Sequence, residues 1–531
     1  MHTHCVIGSG PAGVACATSL LARGAKVLML DAGIKLEPER ARIVSELAQR
    51  KSSEWQSPQI AAVHGDTAAD LKGLPNKRLF GSDFLYRESA EKIPWRAHAQ
   101  VAVCPSLGLG GLSNVWGASM LPLREDDIAD WPIKNADLAD HYRAVAEITG
   151  FAGRHDGLED LFPLHAPNPA ALKSSRQAAL LLESLDRHRD ALRARGWHYG
   201  QSRLAVRAAD SPRGIGCVYC GYCMTGCVYG CIYNAADTVR ELQRQQPDNF
   251  QYENDVIVTR LREHSGIVSI EGFHRQTGER LSFETGRVYL AAGVIPTAQI
   301  VLRSQDAFDR PLTLRDSQYF LFPIVRARRV PNVDAEALYT LSQVSLELFH
   351  SRIGRHPVHL QIYTYSDTIA AAVRRSLGPL KPFARPILER LLIVQGYLHS
   401  NESASIQMTL RRDREDGKDF LELQPVLNPE TAGGVRKVLR ELQGQFRALG
   451  GMVLTPMLEM ARPGRGFHCG GSLPMRAQPG DLETDTLGRP RGWSRLHVVD
   501  ASVLPAVPST TITFPVMANA HRIAWETASA G

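Results

Sequence analysis

The chain has 531 residues, 44% hydrophobic and 22% charged, with a formal net charge of +6. That length can bury a large core and suggests roughly two to four domains. The small charge and the lack of a long basic block speak against nucleic acid as a partner, and no apolar run reaches the ~18 residues of a membrane span.

Four residues precede the first apolar run, which leaves no room for a signal peptide and makes a cytoplasmic location the expectation. Cys5 to Ile7 read as a strand that meets Gly8, Gly10 and Gly13 in G-x-G-x-x-G spacing. A helical pattern through Val14, Ala17, Leu20 and Leu21 then runs to Gly24, and a second apolar run, Val27 to Leu30, ends at Asp31. Strand, tight turn and helix in this order form a dinucleotide cradle: Gly8 permits the turn, Gly10 admits a pyrophosphate, and Gly13 allows close helix packing. Asp31 stands where a carboxylate accepts from a ribose hydroxyl.

Residues 34–100 read as polar and irregular, apart from a helix near Glu37 to Arg50. Next comes Leu107-Gly-Leu-Gly-Gly-Leu-Ser-Asn-Val-Trp-Gly117, whose glycines permit close approach to something flat or anionic. This loop resembles one of the glucose-methanol-choline (GMC) family of FAD oxidoreductases. The resemblance implies that Gly110, Gly111, Ser113 and Asn114 line FAD, with Trp116 nearby. Asp130 to Ile133 and Asp137 to Ile148 read as a turn and an amphipathic helix, and Ala170 to Gly196 as a long helix with a solvated arginine face.

Five of the nine cysteines then fall within fifteen residues, at Cys217, Cys220, Cys223, Cys227 and Cys231. The first four have the C-x2-C-x2-C-x3-C spacing by which a compact loop wraps an iron-sulfur cluster, here with Val228 where bacterial ferredoxins place proline. A fifth ligand, Cys231, could complete the site. The segment also resembles the cysteine region of FAD-dependent fructose and glucose dehydrogenase catalytic subunits, which continue into Gly230-x-x-Tyr233-Asn234. That resemblance implies a three-iron cluster, while the spacing leaves a 3Fe-4S or a 4Fe-4S cluster open. Tetrahedral zinc and unligated cysteines are the alternatives.

Beyond a helix at Ala235 to Gln245, strands are expected at Gln251 to Leu261, Ile267 to Phe273 and Arg287 to Gly293, followed by a helix from Pro296 to Arg303. The family's adenine contact falls at Asp255 and Val256. From 311 to 460 the alternation predicts a sheet covered on one face, with strands at Tyr319 to Val325, Thr340 to Leu348, Val358 to Tyr365, Ser403 to Leu410 and Phe420 to Leu427. Helical patches at Asp367 to Leu377 and Pro382 to Val394 carry Arg374, Arg375, Lys381, Arg385 and Arg390 beside Leu and Ile. They read either as a cover over the site or as a peripheral membrane contact spanning 367–394.

The last stretch resembles the family's closing motifs. His468, in Phe467-His-Cys-Gly-Gly-Ser472, takes the place of the catalytic base, and an imidazole suits that work near neutral pH. Asp500, Ala501 and Thr511 fall at the flavin, before the apolar helix Val516 to Trp525. Where the family places a second polar group, His or Asn, this chain has Val507, so Ser509 or Thr510 is expected to supply the hydrogen bond.

The reading is an α/β fold: a discontinuous Rossmann-like FAD-binding domain over 1–310, with the cysteine segment at 213–234, a largely antiparallel substrate domain over 311–460, and a C-terminal return over 461–531. The expected reaction is oxidation of an alcohol carbon, a secondary hydroxyl of a sugar or glycoside, by hydride transfer to flavin N5. Electrons would leave through the cluster to an acceptor protein or quinone. A redox-neutral isomerase or epimerase, and a non-catalytic dinucleotide-binding subunit with structural zinc, are the alternatives.

Overall fold

The computed structural model describes residues 3–64, 77–351 and 353–528. Its N-terminal strand His4–Ile7 lies at the centre of a parallel five-stranded sheet, ordered Leu496–Val498, Arg287–Leu290, His4–Ile7, Val27–Leu30, Phe250–Glu253. All four central residues are buried on both faces, as a parallel strand covered by helices requires. The helix Pro11–Ala22 makes the first crossover and packs on the terminal helix Thr513–Thr527, where Ser19 Oγ donates to the His521 carbonyl at 2.8 Å. The two ends of the chain thus close one layer.

A seven-stranded antiparallel sheet forms the second unit. Its path runs Gly451–Val453, Tyr319–Arg326, Leu391–Tyr397, Val358–Tyr363, Val344–Leu348, Trp197–Gln201, with Glu459–Met460 attached to the second of these. Alternation sorts its side chains. Phe320, Phe322, Ile324, Leu346, Leu360, Ile362 and Val394 form a core with the helices Arg176–Arg187 and Thr431–Ala448. The opposite face, taking the intervening positions, carries Tyr319, Tyr397, His359, Gln361, Tyr363 and Glu347, all buried. Two smaller sheets complete the molecule: Val256–His264, Ile267–His274, Arg280–Thr285, and the order Cys469–Gly470, Pro311–Asp316, Ser405–Arg412, Asp419–Val426, Trp95–Ala97.

The expected α/β architecture is present, and several segment readings are corrected. The run 251–261 is two strands in two sheets, broken where Asp255 takes a positive φ of 61°. The long helix expected over 170–196 is divided into Arg176–Arg187 and Arg189–Arg193. The patch read as helical over 382–394 is helical only up to Leu388, as a 3-10 turn through Phe383 and an α-helix at Ala384–Leu388, and its Leu-Leu-Ile-Val run pairs in the centre of the large sheet. A short apolar run has no period of its own, so tertiary pairing decides it. Strands 405–412 and 419–426 pair outside the large sheet, which recruits Trp197–Gln201 from the N-terminal part of the chain. The irregular reading of 34–100 includes 65–76, which lie outside the described residues.

Candidate active site and cysteine cavity

The N-terminal glycines behave as their spacing demands. Gly8 has a φ of 103°, and a Cβ there would sit 2.4 Å from the Ala291 carbonyl oxygen, while one on Gly13 would lie 1.9 Å from the Gly8 oxygen. Gly10 differs: its φ is −66°, and an added Cβ meets nothing within 4 Å. The space in front of Gly10 is therefore left open by the protein itself. Across it lies the second glycine loop, where a Cβ on Gly111 would come 3.3 Å from the Gly10 Cα. Gly110 N–H donates to Ser9 Oγ at 2.9 Å, and Ser9 Oγ donates to Asp31 at 2.5 Å. Asp31 also accepts from the Tyr252 hydroxyl at 3.1 Å, and burial pushes its carboxyl up to about 6. Gly8, Asp31 and Val256 line one cavity of about 270 Å³ together with Ile257, Phe273 and Ala292, a mostly apolar slot that suits an adenosine. Asp255 instead pairs with Arg275 at 2.5 Å.

Ser113 and Asn114 hold their own loop. Ser113 Oγ donates to the Gly110 carbonyl at 2.6 Å and accepts from Ala235 N–H at 2.9 Å; Asn114 Nδ2 donates to the carbonyls of Leu109 and Gly111. Asn234, which caps the helix Ala235–Gln245 by accepting from Ala236 N–H, donates to Asn114 Oδ1 at 2.8 Å. The last residue of the cysteine segment thus ties it to this loop. The sequence signal was the Asn preceding an amphipathic run, an N-cap.

At the other end of the site, Phe467 takes a positive φ of 59° and presents His468, whose carbonyl accepts from Ser317 N–H at 3.1 Å. The His468 ring stacks on Tyr397 with centroids 4.6 Å apart, and its Nδ1 is buried without a hydrogen-bond partner among the described residues. Enclosure strips water from the imidazole and, with His359 nearby, holds its pKa down to about 3. Below it runs a cross-strand row, Tyr319, Tyr397, His359 and Glu347, set by direct register between neighbouring strands. His359 Nδ1 donates to Glu347 at 2.5 Å, and the Tyr363 hydroxyl donates to Gln361 at 3.1 Å. The spacing His359-x-Gln361-x-Tyr363 could have identified this face by its period of two.

Asp500 is buried and accepts from Gly293 N–H at 2.9 Å, Thr297 Oγ1 at 2.6 Å and Ser502 N–H at 2.9 Å. It joins the strand end at 293 to the C-terminal loop. The Ala501 carbonyl accepts from Gly471 N–H at 2.9 Å, which fixes the turn beyond His468. Val507 is fully buried, as are Ser509 and Thr510; Thr510 Oγ1 has no partner among the described residues, and Thr511 Oγ1 donates to the Ser119 carbonyl at 3.1 Å. The open space at Gly10, the two facing glycine loops and the unpartnered His468 Nδ1 and Thr510 Oγ1 fit a bound FAD.

All five clustered cysteines, Cys217, Cys220, Cys223, Cys227 and Cys231, line a single cavity with Leu172, Val206, Tyr339 and Leu341, and none forms a disulfide. Backbone amides point at the sulfurs: Thr340 N–H donates to Cys223 Sγ at 3.4 Å and Cys231 N–H to Cys227 Sγ at 3.2 Å. Gly226 is required by packing, since a Cβ there would lie 2.7 Å from the Phe80 ring. Among the described residues no group of three or more His, Cys, Asp or Glu is arranged to hold a single metal ion. A second cavity of about 300 Å³ is lined both by Cys223 and Cys227 and by Ser113, Asn114 and Trp116 of the glycine loop. The cysteine segment and the glycine loop are therefore direct neighbours.

Residues 453–520, the stretch that carries His468, Asp500 and Thr510, match the family model for GMC oxidoreductase. The whole chain is similar in fold to pyridoxine 4-oxidase from Mesorbium loti, with a TM-score of 0.59 at 15% identity over 99% of each chain. No curated protein matches the sequence. The family match rests on residues 453–520, and the likeness at 15% identity shows the fold.

Proposed function

We propose that this chain is an FAD-dependent dehydrogenase that oxidises a secondary hydroxyl of a sugar or glycoside and passes its electrons outward through an iron-sulfur cluster. The observation that carries the reading is the pairing of a neutral His468 over the tyrosine row with a five-cysteine cavity adjoining the glycine loop. Bound FAD would supply the hydride acceptor, and a three- or four-iron cluster a one-electron path to an acceptor protein or quinone. His468 takes the hydroxyl proton, for which its uncharged state leaves it ready. Tyr397 fixes the plane of that ring. The row of Tyr319, Tyr397, Gln361 and Tyr363 supports a sugar substrate, because aromatic faces suit its C–H surface and amides and hydroxyls suit its oxygens. Ser509 and Thr510 are proposed as the hydrogen-bond donors that replace a polar residue at Val507.

Cys217, Cys220, Cys223, Cys227 and Cys231 offer sulfur ligands along the wall of one cavity, an arrangement that favours a polynuclear cluster over a single zinc ion. The acceptor is proposed to sit at a membrane surface. Leu380 and Phe383 are 58% and 66% exposed between the helices Asp367–Leu377 and Ala384–Leu388, flanked by Arg374, Arg375, Lys381 and Arg385. Apolar tips within a basic collar fit an anionic lipid surface. No helix among the described residues is long and apolar enough to cross a membrane.

The test is anaerobic purification followed by absorption spectroscopy and analysis of iron, acid-labile sulfide and zinc. Flavin with about three or four irons per chain is the expected result. Flavin without iron would remove the relay and leave an oxidase, and zinc without flavin would overturn the reading altogether.

A further inference from the structure

A cavity of about 410 Å³ opens where the 124–131 segment meets the loops at 355–357 and 399–401 and the dipeptide Pro505-Ala506. Four arginines line it, and they are not equivalent. Arg124 is satisfied by Asp127 at 2.6 Å and lies over the Phe349 ring; Arg476 bonds Glu483 at 3.2 Å. Arg315 is half-buried, its side chain runs past Gly471, and its guanidinium has no hydrogen bond or ion pair among the described residues. Burial and the neighbouring Arg476 lower its pKa. A desolvated guanidinium beside a like charge is costly unless an anion joins it, and its planar fork matches phosphate and carboxylate oxygens. Arg355 adds a second cation from the exposed rim.

One histidine on the same wall, His399, is a donor. His399 and His356 stack with centroids 3.7 Å apart. Asn401 N–H donates to His399 Nδ1 at 3.2 Å, so the ring proton of neutral His399 is on Nε2. Burial, with His356, Arg124 and Arg315 nearby, holds His399 at about 3 and uncharged. The acids of the wall are largely engaged. Asp126 and Asp127 pair with Arg124, the Glu402 carboxylate accepts from the backbone N–H groups of Arg355 and His356, and Asp130 is exposed.

We propose that this cavity binds a small oxyanion, a phosphate or carboxylate group, anchored by Arg315 and closed from the rim by Arg355. The anion is either the tail of the substrate or a free ligand. Both have the same recognition chemistry, and Pro505-Ala506 leads directly into Val507, so an anion here touches the loop that carries Ser509 and Thr510.

Titration of inorganic phosphate into the flavin-loaded protein by calorimetry at low ionic strength tests the site without relying on turnover, so its failure is separable from that of the proposed redox function. Saturable binding is expected, weakened about tenfold or more in Arg315→Gln, since a charge-assisted hydrogen bond is lost. Arg355→Gln, at an exposed position where folding is not at stake, should weaken it severalfold. No saturable binding to the wild type, or an unchanged dissociation constant in both variants, overturns the proposal. Steady-state assays with added phosphate then assign the source: competition with the alcohol identifies a substrate tail, and binding that leaves KM unchanged identifies a free ligand.

Discussion

Val507 is held to Ser400 by both of its backbone groups: its N–H donates to Ser400 Oγ at 3.0 Å, and its carbonyl accepts from Ser400 N–H at 2.9 Å. The loop that would otherwise present a polar side chain is thus fixed to the second unit of the fold, and only the Val507 side chain is free to vary. Val507→Asn should keep the loop in place but bury an amide at a fully enclosed position, lowering stability by about 1–3 kcal/mol. It should also raise kcat on alcohol substrates severalfold by adding a hydrogen bond to the reacting oxygen. Denaturant melts and flavin-reduction rates check both parts, and an unchanged kcat would show that the polar partner is already present.

His468→Ala should leave flavin content unaltered and slow substrate-driven flavin reduction by about 10²–10⁴, the usual worth of a positioned base. Because the wild-type imidazole is held to about 3, the neutral form persists well below the free value of 6.5. The pH profile of kcat/KM should therefore show no acid limb near 6.5 from this residue. A limb centred there would mean that His468 titrates as a solvent-exposed histidine.

Gly10→Val and Gly13→Val should fail differently. At Gly10 the backbone is extended and an added Cβ meets no protein atom within 4 Å, so the apoprotein should be as stable as wild type yet bind no FAD. At Gly13 the clash with the Gly8 oxygen at 1.9 Å is internal, so the fold itself should be destabilised. Melting curves of the apoproteins beside flavin absorbance separate the two. A yellow Gly10→Val protein would place the pyrophosphate elsewhere.

Cys223→Ser and Cys227→Ser should leave single-turnover flavin reduction largely intact while stopping steady-state transfer to the acceptor. Stopped-flow bleaching, iron content and EPR would be compared in parallel. Normal acceptor reduction by an iron-free variant would show that the cysteines carry no current.

Acid stability offers a check that is independent of the chemistry. His4 and His497 stack on the two faces of Tyr289, with centroids 5.9 and 5.1 Å away, and burial holds each pKa near 4. Between pH 6.5 and 4 the unfolded chain binds protons that the folded one refuses. Each histidine therefore contributes on the order of 3 kcal/mol that is present above pH 6.5 and lost as pH falls towards 4. Asp316, raised to about 7 by burial, acts with the opposite sign, so the comparison is His497→Phe against wild type. The variant should show a shallower decline in urea-derived stability across that window; parallel curves would show that His497 is protonated in the fold.

Local chemistry made part of this protein legible from its sequence. Gly8, Gly10, Gly13 and Asp31 serve a turn and a crossover complete within about thirty residues, so their roles follow from short-range sterics. The strand Val27–Leu30 and the helix Ala235–Gln245 fall at the residues expected, and the cysteines face one cavity because their spacing leaves a compact loop little choice. Tertiary structure alone decided the rest. Leu391–Tyr397 became a central strand by pairing with Tyr319–Arg326 and Val358–Tyr363, although the run by itself is equally compatible with a helix. The row of Tyr319, Tyr397, His359 and Glu347 exists only through register between four strands, so residues up to 78 positions apart become neighbours under His468. Val507 was legible as a departure from a motif, but its bond to Ser400, 107 residues away, was not. Sequence records which groups can form a contact; register and domain packing decide which of them do.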